Sequence, residues 1–293
     1  MTSRAVTLRA LRNFAFNTLY LQREKSIFIR WYQQFLCVWT GFFFLPRLPY
    51  MEELYARSYL RSSAPLWQLI GDPVLPLWVL SLLFVLLGVS LALFAAGRLM
   101  RPCHLMILFV LSVLFAQDIV MPRAYGVLAY LQWFMLLFAP YEQNRSPGST
   151  FNTSLRWRTF FLRLQFTSVY VFTVIAKLAS GPGWLTGETV YRILNSPRYG
   201  LWLISENGIP KDLCMFLSIS TLCAEWFIGF GLWFGKTKKW AMLFCILMHT
   251  GMALTLRVSV LFHILMVGHL LLFLSEPTKK RPRETREEKS TTA

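Results

Sequence analysis

Charge is what this sequence has little of. Only 15% of its 293 residues are charged, against about 25% in soluble domains, and 55% are hydrophobic. A mean hydropathy of +0.47 completes the pattern. An ordinary soluble domain is excluded, and a polytopic membrane protein is expected. Carboxylates are scarcer still, with 14 Asp and Glu against 30 Lys and Arg, giving a net charge of +16. That excess does not point to nucleic acid. The basic residues stand at the ends of apolar runs and on both tails, where they set topology and meet anionic headgroups. The five cysteines, Cys37, Cys103, Cys214, Cys223 and Cys245, form no CxxC pair. Neither a disulfide framework nor a cysteine metal site is expected, and they read as small apolar packing residues. Repeats of fixed period are absent, and no apolar stretch has the form of a cleavable signal peptide.

What is present is a series of apolar runs. Spans need about 20 such residues, and they fall at 27–45, 74–97, 102–118, 125–141, 158–179, 213–234, 238–256 and 258–275. The expected fold is therefore all-α: a membrane bundle of about eight transmembrane helices over residues 26–276. Residues 1–25 precede it, with a basic amphipathic helix over 4–24 lying on the membrane surface. A charged, Pro-broken tail, 277–293, follows and is expected to be disordered. With both termini in the cytoplasm, 20 of the 30 Lys and Arg lie inside, 8 outside and 2 within the membrane. That asymmetry favours eight spans. The longest connections, 46–73 and 180–212, are then outer. The loop 142–156 is inner, so its two glycosylation sequons are silent. A bacterial inner membrane is the expected location.

Ionisable groups inside a span cost several kcal/mol unless paired or wet, about 3 on insertion scales, so each needs a role. Arg163, Thr167, Tyr170, Val174 and Lys177 share one helical face. Cys214, Ser218, Thr221 and Glu225 form a second stripe on the next span. Facing stripes would line a cavity, with Glu225 held by Arg163, or else binding a substrate or moving a proton. His249, near the middle of the seventh span, and His263, on the eighth, are candidates to line the same pocket. His263 and His269 point about 240° apart, so they cannot chelate one ion, and no metal is expected. His104 reads as interfacial. The helix carrying Arg163 must stop at Ser180-Gly181-Pro182-Gly183. Beyond it, Thr186 is placed to cap a short helix with Glu188 in its first turn.

The segment Arg158–Leu194 contains RLQxxxVYxFxxxAKLxxxxxWLxGxxxxxxL. It resembles the signature segment of the HTTM family, which shares its membrane domain with vitamin K-dependent γ-glutamyl carboxylase. The resemblance extends more weakly over about residues 15 to 275. In the carboxylase the matching segment ends in a Lys-Leu pair followed by a Trp, and that lysine is regarded as the catalytic base. The resemblance implies Lys177 as a base beneath a lid made by Trp184 and the 185–195 helix. It also implies a quinone or quinol, or another lipid-soluble molecule, as substrate or cofactor. The turn AQDIVMPRAYG departs from the carboxylase, having neither the asparagines nor the histidine found there.

From spacing alone Lys177 has a second reading, as an ammonium reaching the outer interface near Glu188 or Asp118. Two further functions stay open. Some HTTM-related bacterial proteins serve maturation or export of a small secreted peptide without catalysis. A transporter is disfavoured by the lack of paired broken helices in matching halves.

Overall fold

The computed structural model describes residues 23–25, 27–50, 75–117, 124–138, 153–200 and 208–274. The surface helix expected over 4–24 and the charged tail lie outside these, apart from Arg23 and Glu24. So do most of the connection 46–73 and the turn at Asp118. Among the described residues ten α-helices follow in order: α1 Ile27–Phe44, α2 Leu77–Ala95, α3 Met100–Gln117, α4 Ala124–Leu136, α5 Arg156–Ala179, α6 Glu188–Leu194, α7 Lys211–Gly231, α8 Lys238–Thr255, α9 Val260–Gly268 and α10 Leu271–Leu274. One short ladder departs from an all-α fold. β1 (Arg23–Lys25) pairs antiparallel with β2 (Thr153–Leu155), with Glu24 opposite Ser154. It ties together the chain segments that enter α1 and α5, so both helices start from one side of the bundle.

Three described helices are long and apolar enough to cross a membrane: Leu77–Ala95, Thr159–Ala179 and Lys211–Gly231. Their outward faces are apolar too, as at Trp78, Val85, Phe172, Phe216 and Trp226, all exposed. Apolar residues on both faces are what a bilayer, rather than water, accommodates. The last apolar run is not one helix. A turn at His269 and Leu270 separates α9 from α10.

The core is aromatic. Trp133, Tyr32, Phe44, Phe84 and Phe166 are its largest fully buried side chains. Trp133 Nε1 donates to Thr40 Oγ1 at 2.9 Å, and His104 Nε2 lies 2.6 Å from the Trp133 carbonyl. That carbonyl belongs to the last turn of α4 and has no partner within its own helix. His104 is therefore fully buried between α3 and α4 and is not interfacial: its ring N–H satisfies an orphan acceptor that water cannot reach.

The packing that positions the site is antiparallel, α5 against α7. Gly229 makes the approach close. A Cβ there would stand 2.8 Å from Val171 Cγ2 and 3.6 Å from the Thr167 carbonyl oxygen. Trp233 Nε1 donates to Thr167 Oγ1 at 3.1 Å one turn further on. α5 and α7 are offset along their length. α5 stops opposite the middle of α7, and the rest of α7 packs against the 3₁₀ turn Pro182–Trp184 and α6.

Candidate functional site

Lys177 lies in the last turn of α5. The helix ends two residues later because Gly181 takes φ +110°, a left-handed conformation that favours glycine, and Pro182 has no N–H to donate. The chain turns over Lys177, and the Trp184 ring comes to rest with its centroid 4.4 Å from Nζ. Such a cation over an indole is worth about 0.5–2 kcal/mol.

The strongest contact of Lys177 is with Glu225. Nζ stands 2.7 Å from both carboxylate oxygens, and the side chains are 15% and 8% exposed. This overturns two expectations. Glu225 does not pair with Arg163, and Lys177 does not reach toward Glu188. Arg163 stands about 21 Å below Lys177 along the same helix, beyond reach of a carboxylate that touches Lys177. Its Nε instead donates to the Leu272 carbonyl at 2.8 Å, near the C-terminus of α10. Glu188 is held by Arg192 one turn on, at 2.9 Å. Glu225 meets Lys177 because of the offset between α5 and α7, which places the end of one opposite the middle of the other.

The same register continues past the end of α5. Ser218 donates to the Trp184 carbonyl, and Gly187 lies against the backbone of Met215. Trp184 is thus pinned by α7. The N-cap of α6 is Gly187, with φ +76° and no side-chain cap bond; the Thr186 hydroxyl turns back to Pro182 O at 3.2 Å. The expected Thr186 cap is therefore not used: the close approach to Met215 requires a residue without Cβ at the helix start.

Beside Lys177 runs an open groove of about 580 Å³, lined by Ser168, Phe172, Thr173, Ala176, Ser180 and Trp184 among others. Its lining is mostly apolar, with Lys177 near one end. The groove is shallow and open along its length, and Phe172 on its wall is largely exposed.

A second cluster sits one heptad below Lys177 on the same face of α5. The Tyr170 hydroxyl lies 2.8 Å from His249 Nε2 and 3.2 Å from Cys245 Sγ. His249 Nδ1 lies 3.1 Å from His263 Nδ1. Tyr170, Cys245, His249 and His263 are all buried. Sequence reasoning named both histidines and Tyr170 without their contacts. Cys245 went unnoticed as a polar partner, although it stands one turn from His249 on α8, a spacing that places it on the same face. His269 is separate. It stacks on Phe166 at 4.8 Å, and Nδ1 lies 2.6 Å from the Leu265 carbonyl.

Taken together, the sequence-derived residues fall into two groups and one outlier. Lys177, Trp184 and Glu225 form one group, Tyr170, His249 and His263 the other, and Arg163 stands at the far end of α5. Among the described residues no three His, Cys, Asp or Glu side chains converge to hold a metal ion. No protein-family profile, curated protein or solved structure matches this chain.

Proposed function

We propose that this is a multi-pass membrane protein whose Lys177–Glu225 pair takes a proton from an acidic hydroxyl of a quinol-like, lipid-soluble molecule lying in the groove along α5. The chain crosses eight times with both termini inside, α9 and α10 together making the last crossing. The pair then lies deep. Glu225 is about 21 Å along α7 from Lys211 and about 9 Å from its Gly231 end, inside a hydrocarbon layer about 30 Å thick. Lys177 is thereby held below the outer rim, where its place in α5 alone would put it, inside the membrane.

The observation that carries this reading is the Lys177–Glu225 contact at 2.7 Å beneath Trp184, opening on an apolar groove. An ammonium clamped by a carboxylate is not itself a base. The carboxylate is the acceptor, and the pair acts as a unit. The substrate O–H proton passes to Glu225, and the oxyanion left behind is held by the Lys177 ammonium. The site carries no net charge before the reaction or after it, which suits an apolar surround. Trp184 and the turn that carries it shield the pair from water. This assignment differs from what the likeness of Arg158–Leu194 to the HTTM segment implies: Lys177 keeps its place in the site, but Glu225 takes the role of base.

Two measurements test it. Reporter fusions at Gly235 should read cytoplasmic and fusions at Asn195 should read outside; the same side for both removes the crossing by α7 on which the depth rests. Mass spectrometry of lipids that co-purify with the protein should find an aromatic hydroxyl or quinone compound in the wild type and not in Trp184→Ala. Identical lipids in both would remove the ligand reading.

A further inference from the structure

The Tyr170, His249 and His263 cluster is not used by the reaction just described, yet its geometry is directional. His249 contacts Tyr170 through one ring nitrogen and His263 through the other. A neutral imidazole carries one N–H and one lone pair. If Tyr170 O–H donates to His249 Nε2, then His249 Nδ1 bears the hydrogen and donates to His263 Nδ1. His263 Nε2 must then carry a hydrogen, and it has no hydrogen-bond partner among the described residues although the residue is only 4% exposed. A buried donor without a partner costs about 1–3 kcal/mol. Such a ring nitrogen recurs at His269 Nε2; what sets His263 apart is its place at the end of three aligned groups.

From Tyr170, about 10 Å further from the outer end of α5 than Lys177, the chain turns back outward. His249 lies about 9 Å from the Thr255 end of α8, and His263 about 4.5 Å from the Val260 start of α9, both ends facing the side assigned as outside. Arg257 and Ser259 lie in the turn between them.

We infer that Tyr170, His249 and His263 form a proton relay that carries the proton taken up at the Lys177–Glu225 site to the outer face. The inference rests on the reading of that site proposed above. The transfer balances as follows. Glu225, protonated by the substrate hydroxyl, passes its proton to the Tyr170 oxygen through one water. Tyr170 passes its original proton to His249 Nε2, His249 passes its Nδ1 proton to His263 Nδ1, and His263 releases its Nε2 proton outward. One proton enters and one leaves, and the neutral site takes on one negative charge that is lost when the oxyanion departs. Both imidazoles finish in the opposite tautomer, and ring rotation or return of a proton resets them. Tyr170, His249 and His263 act through Glu225 and touch no substrate, so they are positioning and transfer groups rather than catalytic residues.

The test uses a long-chain alkyl nitrophenol, whose anion is yellow, with the full-length protein in oriented proteoliposomes. A pH-sensitive dye is confined to the bath on the Asn195 side, and the bath pH is held below the phenol's own ionisation range. Wild type should give both the yellow anion and acidification of that bath. In Tyr170→Phe and His263→Phe the yellow amplitude should persist while acidification slows at least tenfold. Absence of colour in the wild type overturns the Lys177–Glu225 site, and the relay with it. Colour with unslowed acidification in both variants overturns the relay alone. A measurement on the wild type needs no variant to fold: nitrogen-15 histidine spectra should show a scalar coupling across one N–H···N bond between the two Nδ1 atoms. Its absence overturns the relay.

Discussion

Lys177→Ala and Glu225→Ala should each destabilise the protein by about 3–5 kcal/mol, because each leaves its partner as an uncompensated charge in apolar surroundings. The double replacement Lys177→Met with Glu225→Leu should recover most of that loss, since well-packed apolar residues often match or exceed a buried ion pair in stability. Thermal unfolding in detergent, read as a double-mutant cycle, measures the coupling; additive losses would show that the two side chains act independently. Lys177→Arg separates structure from chemistry. It keeps the cation beside Glu225 and should keep most of the stability. The wider guanidinium fork displaces the Trp184 ring and changes how an oxyanion is held, so the yellow nitrophenol anion should fall at least tenfold. An arginine variant with full colour would leave Lys177 a structural partner of Glu225 and nothing more.

The second large effect belongs to Gly187. It combines φ +76° with a position against α7 where any Cβ would overlap the backbone of Met215. Gly187→Ala should therefore incur two penalties. The left-handed backbone costs about 1–2 kcal/mol, and overpacking against an immovable backbone adds about 1–3 kcal/mol or more. Gly97 supplies the control. It has φ +73° with nothing within 4 Å of a built Cβ, so Gly97→Ala should show the backbone penalty alone. Because the Gly187 contact holds the turn that carries Trp184, the alanine variant should also expose Lys177. The nitrophenol signal should weaken in Gly187→Ala and stay unchanged in Gly97→Ala. Equal effects of the two substitutions on stability would mean that the Met215 contact contributes nothing.

Much of the helical layout was legible in the sequence, and the reason is local. Each apolar run is bounded by charge, proline or glycine, and those signals act within a few residues. The stop at Ser180-Gly181-Pro182 was set by chain geometry, and α5 ends at Ala179. The polar stripes were legible for the same reason: Thr167, Tyr170, Val174, Ser218 and Glu225 are buried, as a shared helical face requires. What the sequence did not carry was the axial register between helices. Sliding α7 along α5 leaves each helix's own pattern untouched yet changes which cation Glu225 meets. The register is set by Gly229 against Val171, Gly187 against Met215 and Ser218 against Trp184, and these contacts join residues far apart in the chain. The His249 to His263 contact belongs to the same class. His104 was misread because a histidine near a helix end has no local feature that separates surface from core; the Trp133 carbonyl supplies the answer from another helix.

The offset of α5 and α7 also bears on how the protein is made. Lys177 and Glu225 are 48 residues apart. At synthesis rates of about 5–20 residues per second, the lysine emerges roughly 2–10 s before its carboxylate. Through that interval α5 holds a cation with no counter-ion, and an unpaired lysine at a helix end settles where it can reach headgroups. On the depth proposed above, the finished protein holds the same lysine inside the membrane. α5 therefore enters the bilayer at one depth and is drawn to another when α7 arrives. On that proposal, the nascent chain holds α5 loosely until α7 has inserted.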